Sequence, residues 1–242
     1  MRRLLFVIVG CLAATAARAD DWSGGYIGLS AGGFKGRSTW STTQLGPDNA
    51  VICPGFCLSD TDAKFSDANG GTAGAHFGWN WLIGGHLLLG LETGAGSTNS
   101  RGSINHTPGF VDVDSTDDIT ATYEYNGGAL ARVGLVAGPV MLYGMGGPWW
   151  QKVSIRYNCT SLTNSWCLTS QSENKTDILR GWMAGGGMEV RVAKRVSTRL
   201  DYRYAKYEDK DYTFFGKSAT DTVFARTGAK TYTVTLGVSY RF

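Results

Sequence analysis

The sequence predicts an all-β fold: an eight-stranded antiparallel transmembrane up-and-down β-barrel with short periplasmic turns and long extracellular loops. Three observations predict it. Eight segments alternate apolar and polar residues with a period of two, their connections alternate short and long, and 34 glycines with 12% aromatic residues in a chain of 242 suggest sheet with much bare backbone. With 43% apolar and 18% charged residues the chain is not disordered. The formal charge of +3 includes Arg2, Arg3 and Arg18 of the leader, and without them the chain is neutral, which removes the electrostatic case for a nucleic-acid partner.

Residues 1–19 have the three parts of a cleaved signal peptide: cationic Arg2 and Arg3, an apolar run from Leu4 to about Ala17, and the A-x-A site Ala17-Arg18-Ala19. Cleavage near Ala19 leaves residues 20–242 as one barrel domain. Ile8-Val9-Gly10-Cys11 has the look of a lipobox, but cutting there would leave too short an apolar segment.

The expected strands lie near 22–34, 71–82, 86–97, 122–137, 139–156, 178–193, 195–208 and 230–242. The inward face of the first is not assigned. In the second, Phe77, Trp79 and Trp81 oppose His76 and Asn80; in the third, Leu87, Leu89 and Leu91 oppose Glu92. The fourth sets Tyr125, Ala129, Ala131, Val133 and Leu135 against Glu124, Asn126 and Arg132, and the fifth carries Met141, Tyr143, Met145, Trp149, Val153 and Ile155 on one face. Met188, Val190 and Val192 alternate with Glu189 and Arg191 in the sixth. Val196, Thr198, Leu200, Tyr202 and Tyr204 oppose Ser197, Arg199, Asp201 and Arg203 in the seventh. The last, TYTVTLGVSYRF, alternates from Thr231 to Phe242 without a slip. Tight turns are expected at Ile83 to Gly85, Gly138 and Lys194, and long polar loops at 35–70, 98–121, 157–177 and 209–229.

Alternation alone does not tell inside from outside. A soluble lipocalin-like barrel would place the apolar face inward, whereas hydrocarbon demands a closed sheet with that face outward. The loop asymmetry, the inner-face glycines, and Trp22, Trp79, Trp81, Trp149, Trp182 and Tyr240 near strand ends favour the second. The inward charges are then Glu92, Glu124, Glu189 and Asp201 against Arg132, Arg191, Arg199, Arg203 and Arg241, nearly balanced, and unpaired charge in so narrow a space is costly. A hydrogen-bonded network plugging the lumen is the expectation; an ion path is the sharper reading.

Four cysteines follow the leader, Cys53, Cys57, Cys159 and Cys167, an even number in an exported chain, and disulfides are their expected state with three connectivities open. His76, His86 and His106 lack ligand spacing to them, so no metal site is expected. Asp112, Asp114, Asp117 and Asp118 lack the glycine and distal glutamate of an EF-hand loop. His106 with Ser103 and Asp112 is thin material for catalysis, and no G-x-S-x-G surrounds a serine.

The opening DWSGGYIGLSAGG (21–33), the central LYGMGG (142–147), the stretch GWMAGGGMEVRVAKRVSTRLDYRYAKYED (181–209) and the ending YRF resemble the small porin-family, surface-antigen outer-membrane proteins of Gram-negative bacteria, including opacity-type and immunogenic members. Trp149-Trp150 after Pro148 and the loop cysteines depart from that pattern. The resemblance implies outer-membrane lipid and lipopolysaccharide as surroundings, and a terminal signal, Tyr240 and Phe242, for the barrel-insertion machinery. It also implies a structural and surface-exposed role, of antigen or adhesion type, with a host or envelope partner at the loops. The expected function is non-enzymatic and without cofactor. The alternatives are a haem- or small-ligand-binding surface protein, with His106 or loop tyrosines as ligands, or a narrow porin-like channel. No separate peptidoglycan-binding domain is expected.

Overall fold

The computed structural model describes residues 22–45, 61–109, 117–160, 170–216 and 222–242. The elements are β1 (Gly24–Leu45), β2 (Asp62–Lys64), β3 (Ala68–Ile83), β4 (Leu87–Ile104), β5 (Asp118–Ala137), β6 (Val140–Cys159), β7 (Gln171–Ala193), β8 (Val196–Tyr207), β9 (Lys210–Phe214) and β10 (Val223–Arg241). Eight of them form the wall in the order β1-β3-β4-β5-β6-β7-β8-β10, every pair antiparallel, and β10 returns to β1 from Tyr26↔Arg241 to Leu45↔Val223. Closure gives the wall's backbone donors and acceptors partners within the sheet, the condition for crossing hydrocarbon. The short strands add to the loop end, β2 on β1 and β9 on β10.

The turns at the other end are tight. Gly84 and Gly85 (φ 60° and 76°) and Gly138 (φ 57°) take the left-handed backbone that residues with a Cβ avoid. Around the wall, Ile27, Leu29, Trp79, Leu91, Leu135, Leu200, Leu236 and Tyr240 are exposed, while His76, Asn80, Glu92, Glu189, Arg199 and Asp201 behind them are buried. On β7 this apolar belt runs from Val192 to Trp182. The ten steps between them at about 3.3 Å, tilted by roughly 40°, span about 25 Å, the height of a bilayer's apolar band.

The strands outrun the expected ones at the loop end, so the loops are shorter than the sequence suggested. β1 continues to Leu45, β4 to Ile104 and β6 to Cys159; β7 begins at Gln171 and β10 at Val223. Polar residues occupy much of the outer face there, so the alternation fades although the pairing continues. Cys53, Cys57, Cys167, Asp112, Asp114 and the leader lie outside the described residues, and Cys159 is buried at the end of β6.

Three facings differ from expectation. On β6, Met141, Tyr143, Met145, Trp149, Val153 and Ile155 face the interior, and Leu142 and Trp150 face out. Trp22 and Trp149 are interior rather than interfacial; the Trp22 indole donates to the Gly138 carbonyl at 3.1 Å at the turn end. Glu124 is not in the lumen. A register shift between Tyr123 and Asn126 on β5 inverts the alternation, turning Tyr123 inward and Glu124 outward, where it meets Lys152 Nζ at 2.7 Å and Ser154 Oγ at 3.0 Å.

Candidate functional site

The interior is filled in two layers. The lower one, inside the apolar belt, is ionic. In the strand ring β4 and β8 stand opposite each other, and Arg199 of β8 reaches across to grip Glu92 of β4 with both terminal nitrogens, Nη1–Oε2 at 2.7 Å and Nη2–Oε1 at 3.2 Å. Arg132 of β5 bridges Glu92 Oε2 at 3.3 Å and Glu189 Oε2 of β7 at 3.2 Å, and Arg241 of β10 takes the other Glu189 oxygen at 2.9 Å. Asp201 lies 2.8 Å from Arg199 and 3.0 Å from Arg203. Phenols complete the carboxylate shells: Tyr26 donates to Glu92 Oε2 at 2.8 Å and Tyr143 donates to Asp201, while Ser197 donates to Glu189. The Arg132 guanidinium lies 3.9 Å from the centre of the Tyr143 ring, and Arg191 and Arg241 lie over Trp22.

Of the residues expected in this network, Glu92, Arg132, Glu189, Arg199, Asp201, Arg203 and Arg241 are joined by ion pairs, and Arg191 lies beside them on Trp22. With Glu124 outside, five arginines and three carboxylates of the expected set remain inside the barrel among the described residues. Gly28 makes room for one crossing: the His76 ring passes over it to meet Ser239 Oγ at 2.9 Å, and a Cβ at Gly28 would stand 2.3 Å from His76 Nε2.

The upper layer, toward the loops, is aromatic, and sequence reasoning missed it. Trp40 of β1 stacks on Phe214 of β9 with centroids 5.7 Å apart and meets Tyr157 of β6 edge-on at 5.8 Å, with Phe65 and Phe215 packed around them. Phe215 holds φ at 56°, a conformation bulky residues avoid, with its N–H donating to Glu173 Oε2 at 2.6 Å. Thr42 ties the layer to the chain beyond β4, donating to the Pro108 carbonyl at 2.7 Å. The signal was present in the period-two runs Phe34, Gly36, Ser38, Trp40, Thr42 and Val153, Ile155, Tyr157, Cys159, in stretches partly assigned to loops. Between the layers His76, Gln151, Arg203 and Thr235 help to line a cavity of about 40 Å³, room for about three water molecules at roughly 10–15 Å³ each.

His106 is exposed, and no hydrogen bond joins it to Ser103 among the described residues; Asp112, the acid expected beside them, lies outside those residues, and Asp117 accepts from Thr107 at 2.7 Å. No group of three or more His, Cys, Asp or Glu side chains could hold a metal among the described residues. At the C-terminus Tyr240 and Phe242 both lie exposed on the outer face, their rings 5.9 Å apart.

Residues 4–242 match the family described as outer membrane protein beta-barrel domain. Among curated relatives, the 31 kDa outer-membrane immunogenic protein of Brucella melitensis biotype 1 is 26% identical over 238 residues, covering 95% of this chain and 88% of the relative. The 22 kDa outer membrane protein of Rhizobium leguminosarum bv. viciae is 27% identical over 225 residues, covering 93% and 80%. Among solved structures, the outer membrane protein OprG from Pseudomonas aeruginosa superposes with a TM-score of 0.51 at 12% identity, covering 91% of this chain and 98% of that one. The outer membrane protease OmpT from Escherichia coli gives 0.52 at 11%, covering 90% and 96%. At such identities the likeness to both is one of fold.

Proposed function

The chain belongs to the outer membrane protein β-barrel domain family and is an outer-membrane protein, and we propose that it acts there as a non-enzymatic structural barrel that displays surface loops, its lumen closed by the charge network. The observation that carries this reading is the Arg199–Glu92 pair, which joins opposite walls, each side chain fully buried. A solute crossing the barrel would have to break those charge-assisted bonds and leave buried ions unpaired, and would then meet the Trp40 layer. Relatives named immunogenic support loops exposed to the outside. Outer-leaflet lipid, the insertion machinery reading Tyr240 and Phe242, and a host or envelope partner at the loops are the proposed contacts.

The test is epitope insertion at position 113, between β4 and β5 in sequence, at position 165, between β6 and β7, and at the Gly138 turn. Antibody should label the first two on intact cells and the third only after permeabilisation. A chain that still shows a heat-dependent gel shift but whose loop tags stay unlabelled on intact cells overturns the display role without touching the fold.

A further inference from the structure

The outer wall carries a cationic cluster that the lumen does not use, one step toward the loops from an aromatic ladder. Trp182, Tyr204 and Tyr232, on β7, β8 and β10, are adjacent outward-facing rings with centroids 5.5 and 5.3 Å apart. Immediately above them the register sets Arg37 of β1 opposite Lys230 of β10, and Lys230 opposite Lys206 of β8. All three are exposed on the lipid-facing side of their strands. Three like charges directly cross-strand destabilise a sheet unless an anion lies across them.

The supply of anions from the chain itself is short. Asp67 binds Lys35, and Arg37 Nε at 3.0 Å, and the hydrogen bond from Lys35, then that from Arg37, holds its carboxyl below the usual carboxylate range. Lys64, Lys206 and Lys230 have no carboxylate within ion-pair distance among the described residues. Arg37, Lys64, Asp67, Lys206, Asp209 and Lys230 line one open groove. Gly228 keeps its floor bare, since a Cβ there would stand 2.6 Å from Asp209 Oδ1 and 2.9 Å from Thr39 Oγ1.

Depth identifies the occupant. Tyrosine and tryptophan settle at the boundary between hydrocarbon and headgroups, so the level just above this ladder is that of the outer-leaflet headgroups. Lysine stems can lie along the apolar wall there with their ammonium groups among those headgroups. We propose that this groove docks the phosphate-bearing sugar headgroup of an outer-leaflet glycolipid, with Lys206, Lys230 and Lys64 supplying charge to its phosphates and Tyr204 and Tyr232 packing below the sugars. The inference rests on the outer-membrane barrel described above and names a lipid partner for its outer face. A soluble polyanion would share the charge but has no need of the aromatic ladder at that depth.

The test uses the full chain refolded in nanodiscs, with bisphosphorylated lipid A and the same lipid A stripped of both phosphates as probes. Soluble heparin is a third arm, and lipid bound per barrel is read by native mass spectrometry. The phosphorylated lipid should bind more tightly, and Lys206→Gln with Lys230→Gln should weaken it about twenty-five-fold, at roughly fivefold for each lysine near a charged surface. Arg156→Gln, on the outer face of β6, should leave binding unchanged. A heat-dependent gel shift in every variant separates loss of the site from loss of the barrel. Equal binding of the two lipid A forms, an unaffected double variant, or heparin binding without preference between the lipids overturns the proposal.

Discussion

Replacing Arg199 by methionine tests whether the lumen network stabilises the barrel. The change keeps most of the side-chain volume and removes the guanidinium that binds Glu92 at 2.7 and 3.2 Å and Asp201 at 2.8 Å. Breaking a buried ion pair by removing one partner costs about 3–5 kcal/mol. Neither carboxylate is abandoned here: Glu92 keeps Arg132 at 3.3 Å and Tyr26 at 2.8 Å, and Asp201 keeps Arg203 at 3.0 Å and Tyr143. The expected loss is therefore at the lower end, about 3 kcal/mol. Reversible urea unfolding in lipid vesicles, followed by tryptophan fluorescence, measures it. Replacing Glu92 by methionine as well should cost less than the two single changes added together, with a coupling of at least about 1 kcal/mol. A single variant within about 0.5 kcal/mol of the unchanged chain, or strict additivity, would mean that the network does not stabilise the barrel, because a surface-like pair behaves that way.

Three further outcomes are expected. Gly28→Ala should destabilise by about 1–3 kcal/mol, since its Cβ would meet the Val238 carbonyl at 2.4 Å as well as His76; a companion His76→Ala that fully restored the unfolding midpoint would show that the backbone contact is not limiting. Phe242→Ser, at a terminal position on the outer face, should leave the barrel refolded in detergent heat-modifiable yet lower the heat-modifiable fraction assembled in cells; unchanged assembly counts against the terminal signal. The Asp67 carboxyl is depressed by Lys35 and Arg37, so its contribution is present above its unfolded value near 3.9 and fades as pH falls through the lower folded value. Hydrogen exchange around Phe65 to Asn69 should accelerate on acidification beyond the intrinsic change, and an Asp67→Asn variant showing the same pH dependence would contradict this.

The barrel was legible wherever one side of the wall meets hydrocarbon and the other a crowded polar lumen, because there the alternation is forced at every position. Thus β8 and β10 matched residue for residue, from Val196 to Tyr204 and from Thr231 to Phe242. Beyond the bilayer the outer face meets water and becomes polar, so the composition turns loop-like where β1 carries Trp40 and β6 carries Tyr157 into the aromatic layer. Glu124 was misplaced because a one-residue bulge inverts a strand's faces without changing its composition. The inward Tyr143 of β6, with Met141 and Met145 on the same face, misled for another reason: an arginine-rich lumen accepts a π face as readily as a polar side chain, as Tyr143 under Arg132 shows. Which charges pair, and that Arg199 reaches the opposite wall, depends on barrel order and register, which alternation within single strands does not encode.

The claim that the barrel is closed is tested most directly by the conductance of the purified chain in a planar bilayer, with insertion verified by a heat-dependent gel shift of the same preparation. A flat baseline is expected, since an ion would have to part Arg199 from Glu92 and pass the Trp40 and Tyr157 rings. Steady open-channel currents from the inserted, unaltered chain would contradict it.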